Sequence, residues 1–186
     1  MDTLLRYGIS GYWWENGEIR PTVVDFSKFE TICHDVMGQY SGKVLEIRNV
    51  KKIGTGNYHL AYLKQQYVSD QAIVLFLNIH YPFIAVKTTP LDETSNDIFG
   101  PSNSWQKVTQ VIKQSDVIFR FRLIYRFLEP VELKEPLTFS HNNTDKQLQL
   151  LNRHEMPQKE VEMIHKWQRI SSIPLTVGDV IFNWWD

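Results

Sequence analysis

The chain reads as an α+β protein: a curved, mostly antiparallel, barrel-like sheet with about three to five helices packed against it. Three observations carry this. Strand-like and helix-like stretches are intermixed, without the regular strand–helix alternation of a parallel α/β fold. AIVLFLNI (72–79) is apolar at every second position on both phases, the pattern of a strand covered on both faces. Phe29, Ile32, Cys33, Val36 and Met37 fall at i, i+3, i+4, i+7 and i+8, one stripe of an amphipathic helix. The 186 residues suit a single domain over 1–186, with no internal repeat and no linker.

Taken in order, residues 4–20 predict a hairpin, because apolar stretches flank Asn16-Gly17, a strong turn signal. Residues 27–37 predict a helix, with Ser27 and Glu30 as a capping box and Gly38 as its end. KVLEIRNV (43–50) alternates as a strand. Asn57 reads as the cap of a helix running to about Tyr67. AIVLFLNI is the central strand, and FIAVKT (83–88) pairs with it across His80-Tyr81-Pro82. Residues 89–104 form a polar loop rich in Asp, Asn, Ser and Pro. Trp105, Val108, Val111 and Ile112 suggest a short helix, with a strand as the alternative over 104–114.

Residues 117–129 predict a strand, ended at Glu129-Pro130 because proline cannot donate to a ladder. Thr144 and Gln147 suggest the cap of a short helix carrying Leu148 and Leu151. Pro157 suits the first turn of a helix with Val161, Ile164 and Trp167 on its apolar side. PLTVGDVIFNWWD reads as a final strand.

Lysine and arginine number 20 against 21 acidic residues, so no overall charge draws the chain toward polyanions. Aromatics reach 13%, more than a core of this size needs, which points to a groove or interface. The single cysteine, Cys33, excludes an internal disulfide and implies a reducing, cytoplasmic setting. MDTLLRYGISGYWW lacks a basic start followed by an apolar core, so no secretory leader is expected, and AIVLFLNI is too short to span a bilayer.

Catalytic and metal motifs do not emerge. His34, His59, His80, His141, His154 and His165 show no short-range ligand spacing, so no metal is assigned. Cys33 lies on the apolar stripe, about 100° from His34, and reads as core rather than as a nucleophile. There is no nucleophile elbow and no phosphate-cradling glycine loop. No catalytic residue and no cofactor is assigned, and an enzyme with dispersed groups stands as the third reading.

Arg120, Arg122 and Arg126 alternate with Phe119, Phe121, Leu123, Tyr125 and Phe127. On a strand they would share one face, where successive positions lie about 7 Å apart, close to the spacing of phosphates along nucleic acid, although Ile124 interrupts the row. Arg48 on a neighbouring strand would extend the row. The bland alternative is an ordinary exposed face on which these arginines pair with Glu46, Glu129 or Glu132.

The stretch RLIYRFLEPVEL (122–133), followed by Leu137, Leu150-Leu151 and a late helix, resembles the end of an EVE domain, a PUA-like barrel. Tyr12-Trp13, Arg48-Asn49 and Ser69-Asp70 are earlier echoes, while the 89–104 loop and the last residues have no counterpart in the family. The resemblance implies a small barrel holding a flipped or modified base in an aromatic pocket, without catalysis. It carries over to Trp13, Arg48, Asn49 and Trp105.

Two principal readings follow. The first is a nucleic-acid or nucleotide binder using Arg48, Asn49, Arg120, Arg122 and Arg126 with Trp13 and Trp105. The second is a protein-interaction module, such as a toxin-neutralising immunity protein or phage-encoded inhibitor. Its contact would use Asp92, Glu93 and Asp97 with Trp184 and Trp185. Neither needs a membrane.

Overall fold

The computed structural model describes residues 3–11, 23–49, 56–65, 71–90, 116–141, 147–152, 154–170 and 174–183. Its centre is a five-stranded sheet in the order β2 (Gly42–Arg48), β3 (Tyr58–Gln65), β4 (Gln71–Asn78), β5 (Phe83–Pro90) and β6 (Arg126–Phe127). The first four run antiparallel and β6 lies parallel to β5. Two further pairings flank it: β1 (Leu5–Arg6) runs parallel to β9 (His154–Glu155), and β7 (Phe139–His141) antiparallel to β8 (Leu148–Leu150). Among the described residues there are five helices: α1 (Phe26–Gln39), α2 (Asp116–Arg122), α3 (Pro130–Leu133), α4 (Gln158–Ile170) and α5 (Val177–Ile181). None of them is long and apolar enough to cross a membrane.

Alternation along the strands makes two cores. Ala61, Leu63, Ile73, Leu75, Leu77, Ile84 and Val86 face one side, where α1 places Phe29, Cys33, Val36 and Met37 and α2 places Val117, Ile118 and Phe121. Tyr58, Leu60, Tyr62, Val74, Phe76, Phe83 and Ala85 face the other, against β1, α3, α4 and α5. The central strands are therefore buried on both faces, as AIVLFLNI and FIAVKT require. Cys33 packs in the first core, where burial and then Glu30 hold its thiol far above the ordinary range, so it is protonated and inert.

A set of buried asparagines joins the second core to the strand ends. Asn57 Nδ2 donates to Ile9 O (2.6 Å) and Val180 O (3.3 Å), while its Oδ1 accepts from Asn183 N (2.8 Å). Asn78 Nδ2 donates to Ile181 O (2.6 Å) and Ile9 O (3.2 Å), and its Oδ1 accepts from His80 N and Tyr81 N. Asn183 Nδ2 donates to Ser10 O and Val180 O. The last carbonyls of α5, which have no intrahelical partner, are thereby satisfied by side chains from three places in the chain. Gly11 lies against Asn57 with φ +79°, and a Cβ there would meet Asn57 Cβ at 3.0 Å, so the close approach needs glycine. Beside this network Glu160, fully buried in the first turn of α4, accepts from Gly8 N (2.9 Å), Ser10 N (3.2 Å) and Ser10 Oγ. Burial raises its pKa and those hydrogen bonds oppose the rise.

Several sequence expectations change. β1 takes its partner from β9, in parallel, and the Asn16-Gly17 turn lies outside the described residues. The first helix starts one residue earlier and ends two later than its stripe suggested. Asp25 caps it, accepting from Lys28 N at 3.2 Å, and Gly38 stays inside. Residues 58–65 form β3 rather than a helix, because pairing on both edges and burial on both faces outweigh a local cap signal, and Asn57 spends its side chain on distant carbonyls. Leu148–Leu150 is strand, with Thr144 outside the described residues. The expected final strand is α5, begun by a reciprocal capping box: Thr176 Oγ1 accepts from Asp179 N, and Asp179 Oδ2 from Thr176 N (2.8 Å).

The largest correction is at 117–127. Instead of a strand, Asp116–Arg122 is helical and only Arg126–Phe127 pairs with the sheet. Val117, Ile118, Phe121 and Tyr125 recur at helical spacing, and a helix lays all four into the core beside α1. A strand would have buried only the odd-numbered residues of the segment.

Glu160→Ala removes the acceptor of two buried N–H groups, so the unfolding free energy should fall by about 3 kcal/mol, while Glu162→Ala on the exposed side of α4 changes it by less than about 0.5 kcal/mol. Burial, reinforced by His59, holds the His80 imidazole down at about 4. The unfolded chain takes up that proton near pH 6.5 and the folded one does not, so this contribution to stability is complete above about pH 6.5 and is lost as pH falls toward 4. Urea midpoints across that window should show the decline, and His80→Gln should flatten it.

Candidate functional site

The arginines that seemed to form a row belong to separate elements. Arg120 and Arg122 sit on α2, Arg126 on β6, and Arg48 at the end of β2 with Asn49 just after it. β2 and β6 are the two ends of the sheet order, four inter-strand steps apart, or roughly 19 Å at the usual strand spacing. Three of the four are engaged by glutamates. Arg48 Nε is 2.6 Å from Glu46 Oε1, Arg122 Nη2 3.4 Å from Glu129 Oε1, and Arg126 Nη2 3.1 Å from Glu132 Oε1. Each also lies over a ring: Arg48 over Tyr62 (5.9 Å to the centroid), Arg122 over Phe127 (5.2 Å) and Arg126 over Phe83 (5.5 Å). Trp13, Asp92, Glu93, Asp97, Trp105, Trp184 and Trp185 lie outside the described residues.

Rebuilding 116–133 as it folds reveals another arrangement. Val117, Ile118 and Phe121 take the inner side of α2 and are at most 1% exposed. The outer side is not polar: Phe119 is 60% exposed and Leu123, four residues on in the turn that ends the helix, is 64% exposed. Ile124 follows at 43%. At about 100° per residue, Arg120 and Arg122 project roughly 80° to either side of the Phe119–Leu123 line, and both are exposed.

The chain then closes against itself. Ile124 N and Tyr125 N both donate to Phe121 O, ending the helix, and Arg126 N donates to Pro82 O to start β6. Pro130 opens α3 at the first turn, where its missing N–H costs nothing. Glu132 Oε2 accepts from Glu129 N (2.8 Å) while its Oε1 meets Arg126. Through Arg122–Glu129 and Arg126–Glu132, α3 is tied to the segment before it, and α3 adds one more exposed apolar side chain, Val131 at 77%.

What this surface can do is bind. It presents apolar contact area with guanidinium groups on its flanks, the composition of interface anchors. Among the described residues no group of three or more His, Cys, Asp and Glu is placed to hold a metal. The arginine positions were legible in the sequence; Phe119, Leu123 and Ile124 were not singled out as exposed. A helical reading of 116–124 would have flagged them, since six apolar residues in nine exceed what one helix face can bury. No family model, curated protein or solved structure matches the chain.

Phe119→Ser and Leu123→Ser should each change the unfolding free energy by less than about 0.5 kcal/mol, whereas Phe121→Ala should cost about 3–5 kcal/mol. Chemical denaturation of the three variants measures the contrast.

Proposed function

We propose that this protein is a non-enzymatic protein-interaction module that uses the outer face of α2 to engage an acidic protein partner. The observation that carries the reading is the exposure of Phe119 and Leu123 on a helix whose inner side already fills the core. Clustered exposed apolar side chains are uncommon on a surface that meets only water, and they mark contact sites. Arg120, exposed on one flank, supplies a polar rim and selects a partner carrying carboxylates around an apolar centre. Toxin-neutralising immunity proteins and phage-encoded inhibitors are the class that this description fits.

Binding of nucleic acid or nucleotides through the same arginines is the opposed outcome. Phosphate contact has no use for the apolar ridge, and Arg48, Arg122 and Arg126 are already bonded to glutamates. A barrel with a base-holding pocket, as the EVE resemblance implied, would draw on Trp13 and Trp105 and is likewise an outcome for the test rather than the reading favoured.

The test compares wild type with Phe119→Ser/Leu123→Ser, Arg120→Glu/Arg122→Glu and the distant Lys43→Glu. A partner recovered by wild type, purified and titrated by calorimetry, should bind the first two variants at least about thirtyfold more weakly and Lys43→Glu unchanged. A partner indifferent to both α2 variants overturns the surface. Salt-sensitive binding of mixed-sequence single-stranded DNA that survives Phe119→Ser/Leu123→Ser and fails with Arg120→Glu/Arg122→Glu overturns the protein-partner reading in favour of polyanions.

A further inference from the structure

A second surface, on the opposite edge of the sheet, has its own chemistry. Tyr62 of β3 is 7% exposed, and its phenolic oxygen is buried with no hydrogen-bond partner among the described residues. A buried hydroxyl without a partner costs free energy, so its position calls for an explanation. Directly opposite it in the ladder, on the edge strand β2, stands Glu46, two residues before Arg48 and on the same face. A bulge between Val44 and Glu46 shifts the register just before this pair, a device that re-aims side chains next to functional sites.

Arg48 lies over the Tyr62 ring and holds both oxygens of Glu46, Nε to Oε1 at 2.6 Å and Nη2 to Oε2 at 3.0 Å. The Arg48 side chain is 19% exposed, but Glu46 is 45% exposed and free to swing into water. The guanidinium fork is therefore shaped for a carboxylate, and at present an internal one fills it. Burial raises the Tyr62 pKa to about 12, the positive charge of Arg48 opposing, so the phenol keeps its proton as a donor.

We infer that Arg48 and Tyr62 form a binding site for a carboxylate ligand, closed by Glu46 until the ligand displaces it. The incoming carboxylate takes both nitrogens of Arg48 in place of Glu46 and accepts the Tyr62 O–H, which Glu46 leaves unused. This site is separate from the α2 surface and stands whether or not that surface binds a protein.

The experiment titrates acetate into the full chain and follows the ring signal of Tyr62 by NMR, with chloride at equal ionic strength as the control and inorganic phosphate as a second arm. Tyr62→Phe assigns the signal. In wild type, acetate should move it saturably and chloride should not. Glu46→Ala, which removes the internal competitor from a half-exposed position, should bind acetate about tenfold more tightly. In Glu46→Ala/Tyr62→Phe the affinity should fall back about tenfold, read at the Arg48 Nε signal, and Arg48→Gln should abolish the response. The phenylalanine keeps the ring, so it carries the test if Arg48→Gln folds poorly. A response in Glu46→Ala but none in wild type overturns the inference, since Glu46 would then be a permanent partner. So does silence in both, or a shift by phosphate equal to that by acetate.

Discussion

Three buried amides hold this fold together. Asn57 at the start of one central strand, Asn78 at the end of the next and Asn183 after the last helix converge on the carbonyls of Ile9, Ser10, Val180 and Ile181. Each buried carbonyl would otherwise lose its hydrogen bond to water and gain nothing. The amide is well matched to the task, because one side chain donates and accepts at once. Asn57 uses its carbonyl oxygen to receive Asn183 N, and Asn78 uses its own to turn the chain at His80 and Tyr81. With these contacts made, the layer carrying α4 and α5 is registered against the sheet, and Glu160 completes the seam by gathering the amides of Gly8 and Ser10. Hydrophobic contact alone would let these layers slide; the directional bonds select one position.

The two faces of the sheet divide the work differently. The side facing α1 is mostly apolar, with His59 buried against Phe26 and Arg122 over Phe127 at its margin. The other side carries cations over rings: Arg48 over Tyr62, Lys87 over Phe76 and Arg126 over Phe83. Lys87 shows the cost of that placement, since burial lowers its pKa to about 8 against the pull of Asp179. Most of these charges are already answered by carboxylates, which is why the local density of arginine does not become a positive surface. Among the described residues, Phe119, Leu123 and Ile124 bring exposed apolar side chains together on α2 and the turn after it.

The parts of the fold legible in the sequence were those whose local pattern and tertiary environment agree. AIVLFLNI and FIAVKT are apolar on both phases and are covered on both faces. The stripe from Phe29 to Met37 and the Pro157 start of α4 were read correctly for the same reason. Four segments misled, Leu148–Leu150 (read as helix, found as strand) and three more. Asn57 carries a cap signal but serves distant carbonyls, so 58–65 looked helical. Val177, Val180 and Ile181 favour a strand by propensity, yet Thr176 and Asp179 form a capping box that was visible and outranked by the residues around it. FRFRLIYRF alternates like a strand and also repeats like a helix, and only the presence of α1 beside it decides between the two. The candidate surface shared that ambiguity: whether Phe119 points inward or outward depends on which period the chain adopts.

The longest of the amide contacts joins Asn183 to the carbonyl of Ser10 across 173 positions of chain. The β2–β5 meander can zip up from neighbours as it emerges from the ribosome, because its pairings are short-range. The seam cannot: its two halves lie 173 positions apart in the chain. During synthesis the sheet face bearing Leu60, Val74 and Phe76 therefore stays incompletely covered until Asn183 has emerged, and a nascent chain stalled before that point exposes the face to chaperones or to aggregation.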